Sequence, residues 1–228
     1  MLVLGIDTSG KNASCSLFDT EREIFVANTS FYTEKTHSQV IMPAVKSMTE
    51  QSGRKLSDID LIAVANGPGS YTGLRIGVSV TKAMAFGLDC KCAGVSTLKA
   101  IACNNIEYKG NICSIMKARA ELVYTCTYKS NGYELMQLCE EKIISTDELA
   151  EYLAINGTEV LLCGDGSPDF FTLYRSEKFT IAPPYSRIQN AYGVCIGALS
   201  EDFVSPDDLE VSYLQKVKAE KDLENNNK

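Results

Sequence analysis

The most constraining feature of this 228-residue chain is a glycine-rich loop set between an apolar run and a helical pattern. The loop covers residues 66–75, Asn-Gly-Pro-Gly-Ser-Tyr-Thr-Gly-Leu-Arg, and the apolar run covers residues 61–65. Glycines let backbone segments approach closely, and a helix start presents free N–H groups to an anion. The pattern therefore predicts a strand, a tight loop and a helix that ends near Leu88. The loop has neither the lysine of a Walker phosphate loop nor the spacing of a dinucleotide-binding motif.

Composition limits the classes of function. With 45% hydrophobic residues, the chain can bury one large core or two modest ones. A net charge of −7 argues against independent nucleic-acid binding, because phosphate neutralisation needs clustered Lys and Arg. The sequence shows no secretion signal and no run near the roughly 20 apolar residues of a membrane helix. We expect a soluble, cytoplasmic protein whose partner supplies most of the positive surface for any contact with RNA.

The nine cysteines are scattered along the chain, and most lie in apolar runs. Their number is odd, and Cys90 and Cys92 are separated by one residue, not the two of a zinc-binding pair. We predict reduced cysteines that serve packing, with no metal or redox site.

The order of predicted elements, β-β-β-α-β-α, occurs twice and indicates an α/β fold of two related lobes. In the first lobe we predict strands at 2–6, 13–18, 23–29, 61–65 and 93–95, and helices at 38–52, from the end of the glycine loop to about 88, and at 96–103. In the second we predict strands at 112–116, 122–128, 133–144, 160–163 and 179–182, and helices from 145, at 169–176 and at 188–203. Pro43 implies that the first helix starts late or kinks. The domains are predicted as 1–106 and 107–215, followed by a charged tail at 216–228.

Two tight corners could contact phosphate. Asp7, Thr8 and Ser9 follow the first strand, where a carboxylate could hold hydrated Mg²⁺ and hydroxyls could bind phosphate. Gly164 and Asp165 form the corresponding corner of the second half. From the residues alone an Asx or Ser/Thr turn is favoured at the first corner, and an ordinary strand-to-helix connection at the second.

The sequence offers no evident catalytic apparatus. His37 is the only histidine, so a zinc site with several imidazoles is not available. A lone base or ligand is one interpretation of His37, and a capping or interface residue is the favoured one. Arg75 could clamp an anion or form a structural salt bridge. The chain has no GxSxG, HExxH, CxxC or kinase motif, and we predict neither catalytic nor metal-binding residues.

Four segments together closely resemble the TsaB (YeaZ) family. They are Gly-Ile-Asp-Thr-Ser at 5–9, Thr-His-Ser at 36–38, Gly-Pro-Gly-Ser-Tyr-Thr-Gly-Leu-Arg-Ile-Gly at 67–77 and Gly-Val-Ser-Thr-Leu at 94–98. The resemblance is strong over the first hundred residues. The second half matches mainly in its order of elements and in the Gly-Asp-Gly at 164–166. The resemblance implies an actin/Hsp70/hexokinase-like fold of two related lobes.

The resemblance also implies a role in tRNA modification. TsaB-like proteins belong to the bacterial machinery that makes threonylcarbamoyladenosine beside the anticodon. A separate synthase makes threonylcarbamoyl-AMP, the metal-binding paralogue TsaD transfers the group, and the ATPase TsaE joins the complex. We therefore expect a non-catalytic activating and dimerisation subunit that meets tRNA only through the complex. A homodimer of the isolated chain is possible, and the sequence does not decide between a homodimer and a monomer.

Other expectations follow from the family pattern. The catalytic paralogue holds its metal with two histidines on its first helix, but here Ile41 stands one turn after His37. No cofactor is expected to be firmly bound, and ATP or ADP with Mg²⁺ at a complex interface is left open. Lys117 stands where an acid is expected, and Gln215 where arginine is usual.

On the second helix, Gly73, Gly77 and Thr81 lie four residues apart and form a bare stripe with almost no side chain. We expect this stripe, which lies next to the first helix, to dock a partner of the same fold. The predicted interface residues are Val40, Ala44, Gly73, Leu74, Gly77 and Thr81. We expect Gly77→Leu to abolish association without unfolding the chain.

Two other functions remain as alternatives. One is an ATP-dependent small-molecule kinase or ATPase of the same superfamily, which would use Asp7 and the corner at Gly164. The other is a metallopeptidase, which a single histidine makes improbable.

Overall fold

The structure, a computed structural model, describes residues 1–33 and 35–214. Its first lobe is built on a five-stranded sheet of order β3-β2-β1-β4-β5. The strands are β1 (Leu2–Asp7), β2 (Asn12–Asp19), β3 (Ile24–Tyr32), β4 (Leu61–Gly67) and β5 (Lys91–Ser96), and the helices are α1 (His37–Gln51), α2 (Tyr71–Leu88) and α3 (Thr97–Cys103). The first three strands form an antiparallel meander, and β4 and β5 run parallel to β1.

The second lobe repeats this arrangement. Its strands are β6 (Gly110–Lys117), β7 (Leu122–Ser130), β8 (Leu135–Gln137), β9 (Lys142–Ser145), β10 (Val160–Cys163) and β11 (Phe179–Ile181), and its helices are α4 (Thr146–Asn156), α5 (Ser167–Leu173), α6 (Pro184–Arg187) and α7 (Ala191–Ala198). The sheet order is β11-β10-β6-β7-β8, with β9 also paired to β7. In both lobes the first strand is central, between its antiparallel hairpin partner and a parallel strand. This repeated order confirms the predicted α/β class and the actin/Hsp70/hexokinase-like fold.

The core of the first lobe lies on both faces of its sheet. Ile62 and Val64 of β4 pack towards α1 and α2, whereas Ala63 and Ala65 pack towards α3 and α7. The continuous apolar run in the sequence thus reflects burial on both faces, as predicted. The last helix, α7, returns from the second half of the chain to pack on the first sheet.

Three sequence predictions about elements need correction. The strand predicted over 133–144 is two short strands, β8 and β9, separated by residues 138–141. The helix predicted over 188–203 is the short α7, which begins after the cap Asn190. Helix α1 includes Pro43 and starts at His37, so it does not begin late.

The predicted division between the two domains falls in the segment that joins the two sheets. Residues 104–109 connect α3 to β6, and the division at residue 107 stays a prediction. The predicted tail at 216–228 lies outside the described residues, as does Gln215. Within residues 1–33 and 35–214, none of the helices combines the length and apolar character needed to cross a membrane.

Candidate functional site

The corner after β1 is a closed Asx turn. Asp7 Oδ1 accepts hydrogen bonds from the Ser9 backbone N–H at 2.9 Å and from the Ser9 hydroxyl at 2.6 Å. Thr8 donates from Oγ1 to the Gly73 carbonyl at 2.7 Å, which ties the corner to the start of α2. Asp7 and Thr8 are 0% exposed, so this corner has no contact with solvent. The turn that the residues alone favoured is therefore present.

Asp7 nevertheless carries an unused acceptor. Among the described residues, no group reaches hydrogen-bond distance of its buried Oδ2. Burial raises the pKa of Asp7 from 3.8 to about 6, against the opposing effects of the Ser9 hydrogen bonds and of His37. The corner thus holds a carboxyl group that is costly to ionise where it stands.

His37 is the first residue of α1 and closes the same corner. Its Nε2 lies 2.7 Å from the Gly10 carbonyl and donates to it in the tautomer that carries the proton there. Its buried Nδ1 has no partner within the part of the chain that the structure describes. Ile41, one turn on, is fully buried in the core of the first lobe. The position of a second imidazole is therefore occupied by a packing residue.

The second corner is closed by backbone hydrogen bonds. Gly164 N–H donates to the Arg187 carbonyl at 2.6 Å, and Gly166 N–H donates to the Ile115 carbonyl at 3.0 Å. Asp165 Oδ1 accepts from the Lys117 backbone N–H at 3.0 Å. Burial raises the pKa of Asp165, and the bond from Lys117 opposes this shift.

Gln189 lies between the two corners and was not foreseen from the sequence. Its side-chain amide packs on Gly10. A Cβ atom added at Gly10 would lie 3.0 Å from Cδ of Gln189. The amide also stabilises the carboxylate of Asp165, although Nε2 itself reaches no hydrogen-bond acceptor among the described residues. Asn12 donates to the Gln189 carbonyl at 2.8 Å. A single polar residue between two elements gives no sequence signal for such a role.

The two corners, as arranged, do not fit a bound phosphate. The backbone N–H groups of Ser9, Gly164 and Gly166, which a phosphate would need, already donate within the chain. Gln189, 2% exposed, fills the space above Gly10. The described residues also contain no cluster of three or more His, Cys, Asp and Glu side chains placed to hold a metal ion. The predicted nucleotide contacts therefore stay a prediction without support from this geometry.

The bare stripe on α2 faces inward, so its predicted role as a docking surface is wrong. A Cβ at Gly73 would lie 2.0 Å from the Thr8 carbonyl oxygen, and one at Gly77 would lie 2.5 Å from Thr8 Oγ1. These glycines exist because α2 packs directly on the corner after β1. Five of the six predicted interface residues are buried within the chain: Ala44, Gly73, Leu74, Gly77 and Thr81. Gly77→Leu would disturb folding instead of testing association.

The opposite side of the two helices is accessible. On α2, Ser79, Ala83 and Phe86 are exposed, with 79% of the Phe86 surface open. Met42 of α1 is exposed, and Val40 is half-buried. We call these five residues the α1–α2 outer face. Of the predicted interface residues, only Val40 belongs to it.

Two charged residues singled out in the sequence have structural partners. The Arg75 guanidinium lies 4.0 Å from the centre of the Tyr71 ring, and its Nε donates to Tyr213 Oη at 3.0 Å. Arg75 therefore joins α2 to the C-terminal segment and forms no salt bridge among the described residues. Lys117 pairs with Asp169 at 2.6 Å on the surface of the second lobe.

Comparisons with known proteins agree with this architecture. The family model described as TsaD, tRNA N6-adenosine threonylcarbamoyltransferase, matches residues 31–192. A relative from Bacillus subtilis, named tRNA threonylcarbamoyladenosine biosynthesis protein TsaB, is 35% identical over 72% of this chain and 71% of its own length. The protein of the same name from Escherichia coli is 33% identical, over 57% of this chain and 55% of that one. The solved structure of YeaZ from Pseudomonas aeruginosa covers 93% of this chain and 99% of its own, with a TM-score of 0.80 at 20% identity. The structural likeness shows the fold.

Proposed function

This chain belongs to the TsaB (YeaZ) family, and on that premise we propose that it is a non-catalytic subunit of the complex that makes threonylcarbamoyladenosine in tRNA. The observation that carries the proposal is the 35% identity to a protein of that name over 71% of its length. In the proposed role, a TsaD-like paralogue transfers the threonylcarbamoyl group to the adenosine beside the anticodon. The present chain binds the paralogue and activates it.

The closed site supports a role without catalysis of its own. His37 has no imidazole partner, since Ile41 is in the core. Asp7 is sealed from solvent by its own turn, and the nearest loop N–H groups are occupied. A side chain with no access to a substrate cannot act as its general base.

The partner is proposed to be a chain of the same fold. The TsaD family model covers residues 31–192 of this chain, so the two proteins share an architecture and can present similar helices to each other. The α1–α2 outer face is the surface that we propose for this contact. Its residues are apolar or small, and exposed apolar side chains on adjacent helices favour association with another helical surface.

Association with the paralogue tests this surface directly. We expect Phe86→Asp to weaken the heterodimer by about tenfold or more, because a carboxylate would be buried in an apolar contact. Ile155→Asp is the matched control, since Ile155 is a helical apolar residue with 85% exposure on the second lobe. Sedimentation velocity of mixtures with the co-expressed paralogue gives both affinities. Equal affinities for the two variants would exclude this face.

The other assembly partners follow from the same proposal. A TsaE-like ATPase would join the heterodimer, and tRNA would be bound mainly by the other subunits, because this chain has a net charge of −7. Without the paralogue, the same outer face could pair two copies of this chain, since a homodimer would bury the same apolar side chains. The site of action would then be the cytoplasm, where tRNA is modified.

The kinase or ATPase alternative receives no support from the site. It requires phosphate access to Asp7 and to the Gly164 corner, and both are closed by internal hydrogen bonds. Any nucleotide with Mg²⁺ is therefore proposed to lie at an interface of the complex. ATP turnover by the purified chain alone, lost in Asp7→Asn, would favour the alternative over the subunit role.

A further inference from the structure

A cavity in the second lobe lies apart from the corners and from the α1–α2 outer face. It has a volume of about 240 Å³ and lies between β7, β9 and α4. Thr127, Cys139, Lys142 and Tyr152 are among its lining residues. Nothing in the proposed function uses this cavity.

Cys139 reaches the cavity because the chain leaves the sheet at this point. Residues 138–141 interrupt the predicted long strand, and Cys139 Sγ accepts a hydrogen bond from the Thr127 backbone N–H at 3.3 Å. All nine cysteines are free thiols, and only Cys90 and Cys139 are not fully buried. Cys139 is thus a thiol that is both accessible and held by a backbone donor.

A second thiol lies directly beside it. The β7–β8 ladder ends with the pair Tyr128–Gln137, two residues from Cys126 on β7 and two from Cys139 on the other segment. The Cys126 thiol donates to the Cys139 carbonyl at 3.2 Å. This hydrogen bond puts the two cysteines in direct contact, so a disulfide requires only that Cys139 Sγ leaves the Thr127 N–H and turns towards Cys126.

The surroundings favour the thiolate form of Cys139. The Cys126 thiol, the Thr127 N–H, the Tyr152 hydroxyl and the Lys142 ammonium all stabilise it, and together they lower the pKa of Cys139 well below its ordinary value. Lys142 is held near the site, with its Nζ 5.7 Å from the centre of the Tyr152 ring.

The acidic groups nearby are engaged elsewhere. Glu148 Oε2 accepts the Ser145 backbone N–H at 2.9 Å, and Glu141 accepts from Tyr128 Oη at 3.4 Å and from Ser96. Cys113 of the neighbouring strand β6 stays protonated, since burial raises its pKa to about 11. These oxygens of Glu148 and Glu141 are therefore directed at donors other than the Cys139 thiol.

We propose that Cys139 is a peroxide-reactive thiolate and that Cys126 then closes a disulfide with it. The Cys139 sulfur attacks one oxygen of hydrogen peroxide, the O–O bond breaks, and a sulfenic acid and hydroxide form. The Cys126 sulfur then attacks the sulfenic sulfur, the S–O bond breaks, and the Cys126 proton leaves with the hydroxyl group as water. The two sulfurs lose two electrons, which the peroxide accepts.

The first test is alkylation of the wild-type chain with iodoacetamide at about pH 6, with the sites identified by peptide mass spectrometry. Cys139 should react at least about tenfold faster than Cys90, because rates at this pH follow the thiolate fraction. Cys90 is the matched control, since it too is only half-buried but burial and nearby Asp60 and Asp89 raise its pKa. Equal rates would overturn the assignment of Cys139 as an activated thiolate.

The second test is treatment with hydrogen peroxide in the presence of dimedone, which traps sulfenic acids. The wild type should form the Cys126–Cys139 disulfide, Cys126→Ser should form a dimedone adduct at Cys139, and Cys139→Ser should form neither product. Because Cys126 is in the core, the wild-type disulfide map decides the matter if Cys126→Ser does not fold. Absence of that disulfide at peroxide doses that consume Cys139 would overturn the role of Cys126.

Discussion

Asp7 shows how one buried carboxyl group can limit the chemistry of this protein. One of its oxygens is held by Ser9, and the other has no partner among the described residues. The cost of this arrangement should appear in the stability of the chain.

The energetic cost of burying Asp7 can be measured by comparing the stability of the wild type and Asp7→Asn at different pH values. Because the pKa of Asp7 rises from 3.8 to about 6 on folding, the group favours folding below the lower value and loses this contribution as the pH rises through the higher one. We expect the free energy of unfolding of the wild type, relative to Asp7→Asn, to fall by about 2.4 kcal/mol between about pH 4 and pH 7. Urea unfolding at both pH values measures it, and a difference independent of pH would contradict the burial account.

Gly73 tests the inward packing of α2. In Gly73→Ala the new Cβ would meet the Thr8 carbonyl oxygen at 2.0 Å, and backbone cannot move aside cheaply. We expect a loss of at least about 2 kcal/mol in the free energy of unfolding. Gly87→Ala is the control, since no atom lies within 4 Å of its Cβ position, and it should stabilise the chain by up to about 1 kcal/mol. If both variants unfold at the same urea concentration, α2 does not pack as described.

At two helices, the first helical residue is set by the capping residue immediately before it. Helix α2 starts at the residue after Ser70, whose hydroxyl accepts the Gly73 N–H at 3.3 Å. Helix α4 starts with a capping box, in which Ser145 Oγ accepts the Glu148 N–H and the Glu148 carboxylate accepts the Ser145 N–H. The start of α4 was predicted from the sequence, because a capping box depends on residues three apart, whereas the cap at Ser70 was not predicted.

Ser145→Ala should therefore lower the stability of the second lobe. Loss of the hydroxyl acceptor leaves the Glu148 N–H without its partner and should cost about 1 kcal/mol. Ser47→Ala is the control, since Ser47 is an exposed residue inside α1 whose only side-chain bond, from Gln51, is also exposed. Thermal unfolding followed by circular dichroism compares the two, and an equal change in both would argue that the capping box contributes nothing.

The sequence predicts which residues of a helix are bare or apolar, but not which neighbour covers them. The stripe at Gly73 and Gly77 was correctly seen as a surface for close approach, yet the approaching group is Thr8 of the same chain. Likewise, the strand predicted over 133–144 was interrupted because Cys139 turns towards Thr127, a contact that periodicity does not encode. The local sequence pattern therefore indicates whether a segment forms a helix or a strand. Tertiary packing determines which group contacts it and where it is interrupted.

At the scale of the whole molecule, the segment at residues 209–212 returns to the first lobe. Ser212 N–H donates to the Asn66 carbonyl at 2.8 Å, and the Lys82 ammonium donates to the Leu209 carbonyl at 3.1 Å. The duplication of strand order could be predicted from the sequence, because each lobe repeats its own local pattern. The return of the C-terminal segment and the placement of Gln189 could not, because they depend on contacts between residues far apart in sequence.

The proposed assembly gives this closed architecture a function. A chain of the TsaB family with a sealed corner and an accessible pair of helices suits a subunit that acts by binding its paralogue. Its internal hydrogen bonds close the corner, and the α1–α2 outer face is the surface that we propose for the contact.

The most direct test is reconstituted transfer of the threonylcarbamoyl group to tRNA by the TsaD-like paralogue, with threonylcarbamoyl-AMP and the TsaE-like ATPase supplied, with and without this chain. We predict that modified adenosine forms only when the chain is present, that Ile155→Asp supports its formation, and that Phe86→Asp supports it poorly. Full transfer in the absence of the chain would contradict the account.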